Sequence, residues 1–279
     1  MTKAQRPVVV ALVVLAWSVG AYARQQPAPV PAVAFTPAQM ETFLLTARID
    51  KVRPAGDGIT NSQRATLSDG TVTHDAHVQV VDEARTRFET AKITELNFKD
   101  TYRYNIAAYR LAQLLDLDNV PMSVERSVQG KPAAVTWWVD EVMMDEGDRQ
   151  KKKMTDPNPQ RGGGYVFRQR VFDELIQNRD RNLGNLLYTN DWKMWMIDHT
   201  RAFRTGRQLL KPEQLTRIER SLLAKLRELN VESLTQEAGR SLTKEEIAGV
   251  MARRDVIVKL FDDRIAKTSE GAVLYTLPR

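Results

Sequence analysis

The stretch from Asn178 to Asn185, with the Asp198 that follows it, carries the side chains best suited to chemistry. Asp180 and Asn185 are five residues apart, and Asp198 lies thirteen residues further along. One carboxylate of such a set can accept the proton of an attacking hydroxyl. A second carboxylate and a neutral amide oxygen can hold magnesium against phosphate oxygens. These are the residue types that phosphoryl transfer requires.

The chain between these residues has the pattern of a hairpin. Short strands are predicted at 185–188 and 193–197, joined by a turn at Thr189-Asn190-Asp191. The hairpin would fold Asp198 back beside Asn185. Because Asp198 ends the apolar run Met194–Ile197, its carboxylate would be largely buried and would need a partner such as a metal ion.

The same stretch has two other interpretations. Asn178, Asp180 and Asn182 alternate as in a calcium loop, but that loop requires Gly and Glu at the positions that Leu183 and Thr189 occupy. The pattern therefore speaks against calcium. An ordinary structural loop, with Asp180 and Arg181 forming local ion pairs, stays open.

The first 23 residues have the features of a signal peptide. A short basic start is followed by the apolar run 8–19 and by Ala21-Tyr22-Ala23, a pattern typical of a cleavage site. The run is shorter than the roughly 20 residues of a spanning helix. We therefore expect export to the periplasm or the extracellular space after cleavage near Ala23. An uncleaved membrane anchor is the alternative.

Composition excludes several classes of function. The net charge of the 279-residue chain is +6, of which Lys3 and Arg6 contribute two, and the rest is too weak and dispersed to indicate nucleic-acid binding. No cysteine is present, so disulfides and thiolate metal sites are excluded, and three histidines are too few to indicate a histidine-rich zinc site. We expect contact with a membrane only through the signal segment.

The pattern along the chain predicts an α+β fold in which a sheet precedes a set of helices. Residues 24–37 are a proline-rich linker, and a helix begins at Thr36 with a capping box to Gln39. The predicted elements of the first half are strands at 46–53, 63–68 and 72–81, a helix at 100–117, and strands at 120–128 and 133–139. Turns are predicted at Asp69-Gly70 and Gln129-Gly130.

The second half is predicted to be mostly helical after an irregular segment at 145–164. That segment contains Lys151-Lys152-Lys153, which is either a solvated loop or a contact for an anionic partner. The predicted helices run from 166 to 177, onward from Pro212, and onward from the capping box at Thr243. The domain boundaries that follow are 38–142 for an N-terminal lobe and 143–279 for a C-terminal lobe.

The spacing Asp-x-x-x-x-Asn, followed by a hairpin and Ile-Asp, resembles the catalytic and metal-binding loops of the protein-kinase superfamily. The form of the loop is closest to the atypical branch, which includes phosphatidylinositol kinases, HipA-like kinases and secretory-pathway kinases. That branch often has His where Asn182 stands here. The segment 104–111, followed by Val120-Pro121, also looks like the helix and strand entry of that branch.

The resemblance implies a two-lobed kinase fold and a reaction that moves phosphate from ATP, with Mg²⁺ or Mn²⁺, to a hydroxyl of a protein, sugar or lipid. It makes Asp180 the catalytic aspartate and Asn185 and Asp198 the metal ligands. Residues predicted to contact the nucleotide are Gly56 and Gly58 over the phosphates, Asp140 and Val142 within the adenine-lining segment 138–142, and Arg64.

One departure from the family bears on activity. The third strand has no lysine, and Gln79 and Asn105 stand where the lysine and its glutamate partner are expected. Arg64 could supply the missing cation, with Glu95 or Asp82 as its partner. The alternatives are a pseudokinase that acts as a binding or scaffold module, and an enzyme that modifies only its own 145–164 segment.

Overall fold

The first element, helix α1 (Pro37–Thr46), begins at the predicted capping box. The Thr36 hydroxyl accepts a hydrogen bond from the Gln39 backbone N–H at 3.3 Å, and the Gln39 side chain accepts one from the Thr36 N–H at 2.9 Å. Pro37 occupies the first helical position, where the N–H that proline lacks would have no partner within the helix. The structure is a computed structural model and describes residues 35–55, 62–89 and 94–277. The signal segment, most of the linker, Gly56 and Gly58 lie outside these residues.

An antiparallel sheet forms the first half, in the spatial order β1-β2-β3-β7-β6. Its strands are β1 (Arg48–Pro54), β2 (Gln63–Ser68), β3 (Thr73–Gln79), β6 (Ser123–Val128) and β7 (Lys131–Trp137). The predicted turns are present, with Gly70 at φ 92° and Gly130 at φ 78°, where glycine avoids a steric penalty. One face of the sheet packs on α1 and on helix α2 (Arg103–Leu114).

A second hairpin was missed by the sequence analysis. Strands β4 (Asp82–Glu89) and β5 (Thr94–Thr101) pair with each other between β3 and α2. Most β4 side chains are exposed on both faces, so the sequence lacks the apolar alternation that signals a strand. The prediction that α2 starts at Asp100 was therefore wrong, because Asp100 and Thr101 belong to β5.

The segment 145–164 was predicted to be irregular, and that prediction was wrong for much of it. Strand β8 (Val142–Asp145) leads into the short helix α3 (Glu146–Lys151), and helix α4 (Pro159–Ile176) begins before residue 164. Side chains cap both helices: Asp145 accepts from the Asp148 N–H at 2.7 Å, and Asn158 accepts from the Arg161 N–H at 3.2 Å.

The predicted hairpin that leads to Asp198 is confirmed. Strand β9 (Leu186–Thr189) pairs with β10 (Met194–Met196) and with β8 in a small antiparallel sheet.

A helix opened by Pro212 is not present. Residues 212–214 make a single 3₁₀ turn, and Ile218 lies in strand β11 (Ile218–Glu219), which pairs in parallel with β12 (Leu274–Tyr275). Pairing with the distant C-terminal residues overrides the local helical spacing. The remaining helices are α5 (Arg220–Glu228), α6 (Val231–Ala238), α7 (Lys244–Lys267) and α8 (Glu270–Val273).

The predicted fold class, an α+β fold with an antiparallel sheet followed by helices, is confirmed. Helix α7 begins at the capping box of Thr243, where the Thr243 hydroxyl accepts from the Glu246 N–H at 3.2 Å. In the described part of the chain, no helix combines the length and the apolar character that crossing a membrane would need.

Candidate active site

Asp180, Asn185 and Asp198 are brought together by backbone and amide hydrogen bonds. The Ile197 N–H donates to the Asn185 carbonyl at 3.0 Å, which puts Asp198 one residue from that contact. The Asn185 side-chain nitrogen donates to the Asp180 carbonyl at 3.2 Å, which leaves its oxygen as the atom free to bind a ligand. The hairpin β9–β10 therefore places the three residues in one region, as the sequence pattern requires for a shared site.

Arg181 connects the loop that carries Asp180 to the loop that carries Asp198. Its guanidinium forms two 3.0 Å hydrogen bonds to the carboxylate of Asp173 on α4, and Nη1 donates to the carbonyls of Asn185 (3.1 Å) and Ile197 (2.6 Å). Such a bidentate pair is directional as well as strong. The ion pair that the sequence analysis considered for Arg181 thus exists, and it holds the loops that carry Asp180 and Asp198.

The backbone of Asp198 has a left-handed conformation, with φ at 52°. For a residue with a side chain, this conformation costs of order 1 kcal/mol or more and persists where the surroundings impose it. Both neighbours are held: the Ile197 N–H by the Asn185 carbonyl, and the His199 N–H by the Asn105 side-chain oxygen at 2.7 Å. Asn105 on α2 therefore fixes the position of Asp198.

The oxygen atoms of Asn185 and Asp198 fit a magnesium ion whose other ligands are phosphate oxygens and water. Oδ1 of Asp198 accepts from the Thr200 hydroxyl at 3.1 Å, and neither this bond nor the longer one from the Thr200 N–H uses Oδ2. Among residues 35–55, 62–89 and 94–277, no group of three acidic, histidine or cysteine side chains could hold a metal by itself. Mg²⁺ needs only one or two protein ligands when phosphate oxygens and water complete its shell.

Asp100, at the end of β5, adds a third carboxylate that the sequence analysis did not identify. Burial raises the pKa of Asp100, a hydrogen bond with Thr200 opposes that rise, and the carboxylates of Asp198 and Asp180 add to it. Its buried Oδ1 has no hydrogen-bond partner among the described residues. A negative, partly desolvated region of this kind favours a bound cation, which supports the fit of a metal.

His77 on β3 is near enough to Asp198 for their charges to interact, and it was also missed. Burial lowers the pKa of His77, and the nearby Asp198 carboxylate opposes that effect. We call the space between His77 on the sheet and Asp198 on its loop the cleft. The alternation of strand side chains puts Asp75 and His77 on the cleft face of β3, and His74 on the other face.

Arg64 lies on the cleft face but is engaged there by other groups. It stands opposite His77 in the sheet register, its Nε is 2.5 Å from Asp75, and its guanidinium stacks 4.0 Å over the Trp138 ring. Burial opposes ionisation of Asp75, but Thr66, Arg64 and Arg53 outweigh it and hold the pKa of Asp75 below its usual value. Neither Glu95 nor Asp82 pairs with Arg64.

Two other predicted nucleotide contacts, Asp140 and Val142, lie within the described residues. The Asp140 carboxylate is 2.6 Å from His74, which stacks on Trp137 on the face of β3 opposite the cleft. Val142 begins β8 opposite Thr189 and is exposed. Their roles, and those of Gly56 and Gly58, stay predictions.

The two positions expected to hold a lysine and a glutamate are committed to backbone contacts. Gln79 is buried, and its side-chain oxygen accepts from the N–H groups of Val80 and Val81. Asn105, as described, holds the His199 N–H. Neither residue carries a charge that could neutralise phosphate.

A chain of ion pairs reaches Asp180 from β5. Nη1 of Arg201 is 3.3 Å from the Asp180 carboxylate, and Nη2 is 2.9 Å from Glu95. The second oxygen of Glu95 is 2.8 Å from Nη2 of Arg204. The only sequence signal for this arrangement was the position of Arg201, three residues after Asp198.

Comparison with solved structures finds a Fam20 protein and the Golgi casein kinase. The chain is similar to a hydra Fam20 protein solved with sugar, with a TM-score of 0.66, 13% identity, and coverage of 86% of this chain and 92% of that one. It is also similar to the Golgi casein kinase (TM-score 0.61, 15% identity, coverage 87% and 80%). A structure of that kinase with Mn and ADP bound matches with a TM-score of 0.61, 14% identity, and coverage of 86% and 80%.

No protein-family model and no curated protein sequence matches the chain. At identities of 13–15%, the structural matches establish the fold. The class they define is the atypical protein-kinase-like fold, as the sequence resemblance implied.

Proposed function

We propose that this chain is an exported phosphotransferase that moves the terminal phosphoryl group of ATP to a hydroxyl acceptor. The observation that carries the proposal is the contact between the Ile197 N–H and the Asn185 carbonyl, which sets Asp198 beside Asn185 and Asp180. The Golgi casein kinase, which has a similar fold and has been solved with Mn and ADP bound, supports it.

In the proposed reaction, the acceptor oxygen forms a bond to the γ-phosphorus while the bond from that phosphorus to the bridging oxygen breaks. The electron pair of the broken bond leaves with the nucleoside diphosphate. The acceptor proton passes to Asp180, whose half-exposed carboxylate can reach a substrate. Asn185 and Asp198 would hold Mg²⁺ or Mn²⁺, which neutralises charge on the phosphates.

Magnesium and ATP should stabilise the wild-type protein against heat. At a nucleotide concentration 100-fold above Kd, linkage predicts about 2.7 kcal/mol of added stability. Asp198→Ala should fold but lose most of that gain, because it removes a metal ligand. Thermal unfolding with and without magnesium and ATP measures both effects.

Asp263→Ala is the matched control. Asp263 forms an exposed ion pair with Lys259 on α7, so the variant should keep the full response to nucleotide. A wild-type protein that gains no stability from magnesium with ATP, or with ADP, would remove the proposal.

A pseudokinase is the second candidate, and the neutral Gln79 and Asn105 favour it. It would bind nucleotide and act as a scaffold without turnover. Incubation with γ-labelled ATP and analysis of both free phosphate and labelled protein separates the two: binding with neither product supports the scaffold.

Export after cleavage near Ala23 remains a part of the proposal, which the intact mass of the secreted protein checks.

A further inference from the structure

Arg201 is placed between the proposed catalytic carboxylate and a buried acid. It contacts Asp180 at 3.3 Å and Glu95 at 2.9 Å, and its side chain is 22% exposed. The ring of Phe98 lies 5.1 Å from its guanidinium carbon. An arginine held on one side by an acid and an aromatic ring has its remaining donors directed to a fixed place.

Glu95 is buried and ion-paired, as expected of a residue that positions Arg201. Its side chain is 4% exposed, so its charge must be compensated inside the protein. Arg204, which is 8% exposed and 2.8 Å away, can supply that compensation. The charge of Arg201 is then directed toward Asp180 and the space in front of it.

The contact between Arg201 and Asp180 is long for an ion pair, so a phosphate can bind Arg201 more tightly than Asp180 does. A charge-assisted N–H···O bond is typically about 2.7 to 2.9 Å long, which is shorter than the 3.3 Å observed. Arg201 Nε is buried and has no hydrogen-bond partner among the described residues. A phosphate oxygen near Asp180 would therefore find a donor, Nη1, that the free protein does not fully use.

Two other arginines near the cleft, Arg64 and Arg181, are engaged by other groups. Arg64 is paired with Asp75 and stacked on Trp138. Arg181 donates its hydrogen bonds to the Asp173 carboxylate and to two backbone carbonyls. The third strand, which carries a lysine in the family, presents His77, whose pKa burial lowers. Among the described residues, Arg201 is the cation in contact with Asp180.

We propose that Arg201 is the cation that faces the terminal phosphate of the bound nucleotide, with Glu95 as the carboxylate that positions it. This inference rests on the proposed function. It replaces the strand lysine and helix glutamate of the family with an arginine that follows Asp198 and an acid on β5. The pair would then lie on the acceptor side of the phosphate, next to the base.

The test compares affinities for a nucleotide with and without the terminal phosphate. Isothermal titration with magnesium gives Kd for a non-hydrolysable ATP analogue and for ADP. Arg201→Gln should weaken binding of the ATP analogue about tenfold or more, the size expected for a lost hydrogen bond to a charged group, and leave ADP nearly unchanged. Arg201→Lys should recover part of the difference because it keeps the charge.

Arg103→Gln is the matched control. Arg103 forms an exposed ion pair with Asp82, which begins the β4–β5 hairpin that also carries Glu95. Loss of the Arg103 charge should leave the ratio of the two Kd values unchanged. If Arg201→Gln does not fold, Glu95→Gln replaces it and should reduce the preference for the ATP analogue.

The outcomes separate this inference from the proposed function. A wild-type protein that binds neither nucleotide removes both. Wild-type binding of both nucleotides, with Arg201→Gln weakening them equally or not at all, overturns the role of Arg201 and leaves the kinase proposal intact. An unchanged ratio in Glu95→Gln has the same meaning.

Discussion

At the scale of single residues, the site depends on side chains that hold loops in place as much as on those that face a substrate. Arg181 joins α4 to both loops, and Asn105 fixes the residue after Asp198. A hydrogen bond between buried groups is costly to break because the partner left behind stays desolvated. These residues therefore determine whether the carboxylates keep their geometry.

Glu146 at the start of α3 is a second buried carboxylate whose ionisation depends on its partners. Burial works against ionisation, but hydrogen bonds from Arg149, Gln150 and Tyr188 outweigh it and hold the pKa of Glu146 below its ordinary value. A carboxyl with a lowered folded pKa stabilises the protein above its unfolded pKa. That stabilisation is lost as pH falls through the folded pKa.

Glu146→Gln should lower the free energy of unfolding at pH 7 by about 1 to 3 kcal/mol. The difference from wild type should shrink as pH falls below the unfolded value of about 4.3. Urea unfolding at pH 7, 5 and 3.5 measures it. Glu213→Gln, at an exposed position, is the control and should change little. A difference that stays constant down to pH 3.5 would contradict the linkage.

At the scale of elements, helix α4 shows how a run of glycines can have different roles at successive positions. Gly163 has open space where a Cβ would stand, whereas a Cβ on Gly164 would lie 2.6 Å from Leu277 and 3.0 Å from Tyr275. The Tyr275 hydroxyl also donates to the Gly164 carbonyl at 2.7 Å. Gly164 thus allows the C-terminal strand to pack on α4.

Gly163→Ala should stabilise the protein by up to about 1 kcal/mol, because alanine has the higher helix propensity. Gly164→Ala gains the same propensity but must displace Leu277, so it should be less stable than Gly163→Ala by about 1 to 3 kcal/mol. Thermal unfolding of the two variants side by side makes the comparison. Equal stabilities would show that the C-terminal strand does not pack closely on α4.

At the scale of the whole molecule, Arg168 links parts of the chain that are far apart in sequence. Its guanidinium is 2.6 Å from Glu219 on β11 and 2.8 Å from Asp118, which follows α2. Arg168 and Glu219 are each 6% exposed. Because neither charge can be solvated in place, each depends on the other for compensation. The contact with Asp118 connects the same arginine to the sheet-bearing half.

Arg168→Met should destabilise the protein by about 3 to 5 kcal/mol, since it leaves Glu219 buried and uncompensated. Arg170→Met, two residues along the same helix at a partly exposed position, is the matched control and should cost less than about 1 kcal/mol. Urea unfolding measures both. A loss for Arg168→Met no larger than the control's would show that the buried charge of Glu219 does not depend on Arg168.

Local patterns were sufficient for much of the fold. The capping boxes at Thr36 and Thr243, the turns at Gly70 and Gly130, and the hairpin before Asp198 were all predicted correctly. Each depends on neighbours within a few residues, which the sequence displays directly. The α+β class follows from the order of these elements.

Tertiary structure alone decided the rest. The hairpin β4–β5 has exposed, polar strands with no apolar alternation, and Ile218 is a strand residue only because Leu274 pairs with it. The partner of Glu95 could not be assigned from sequence either: Arg201 and Arg204 lie more than 100 residues away and meet it across the fold. Spacing identifies groups that act within one loop, whereas contacts between distant segments depend on how the whole chain packs.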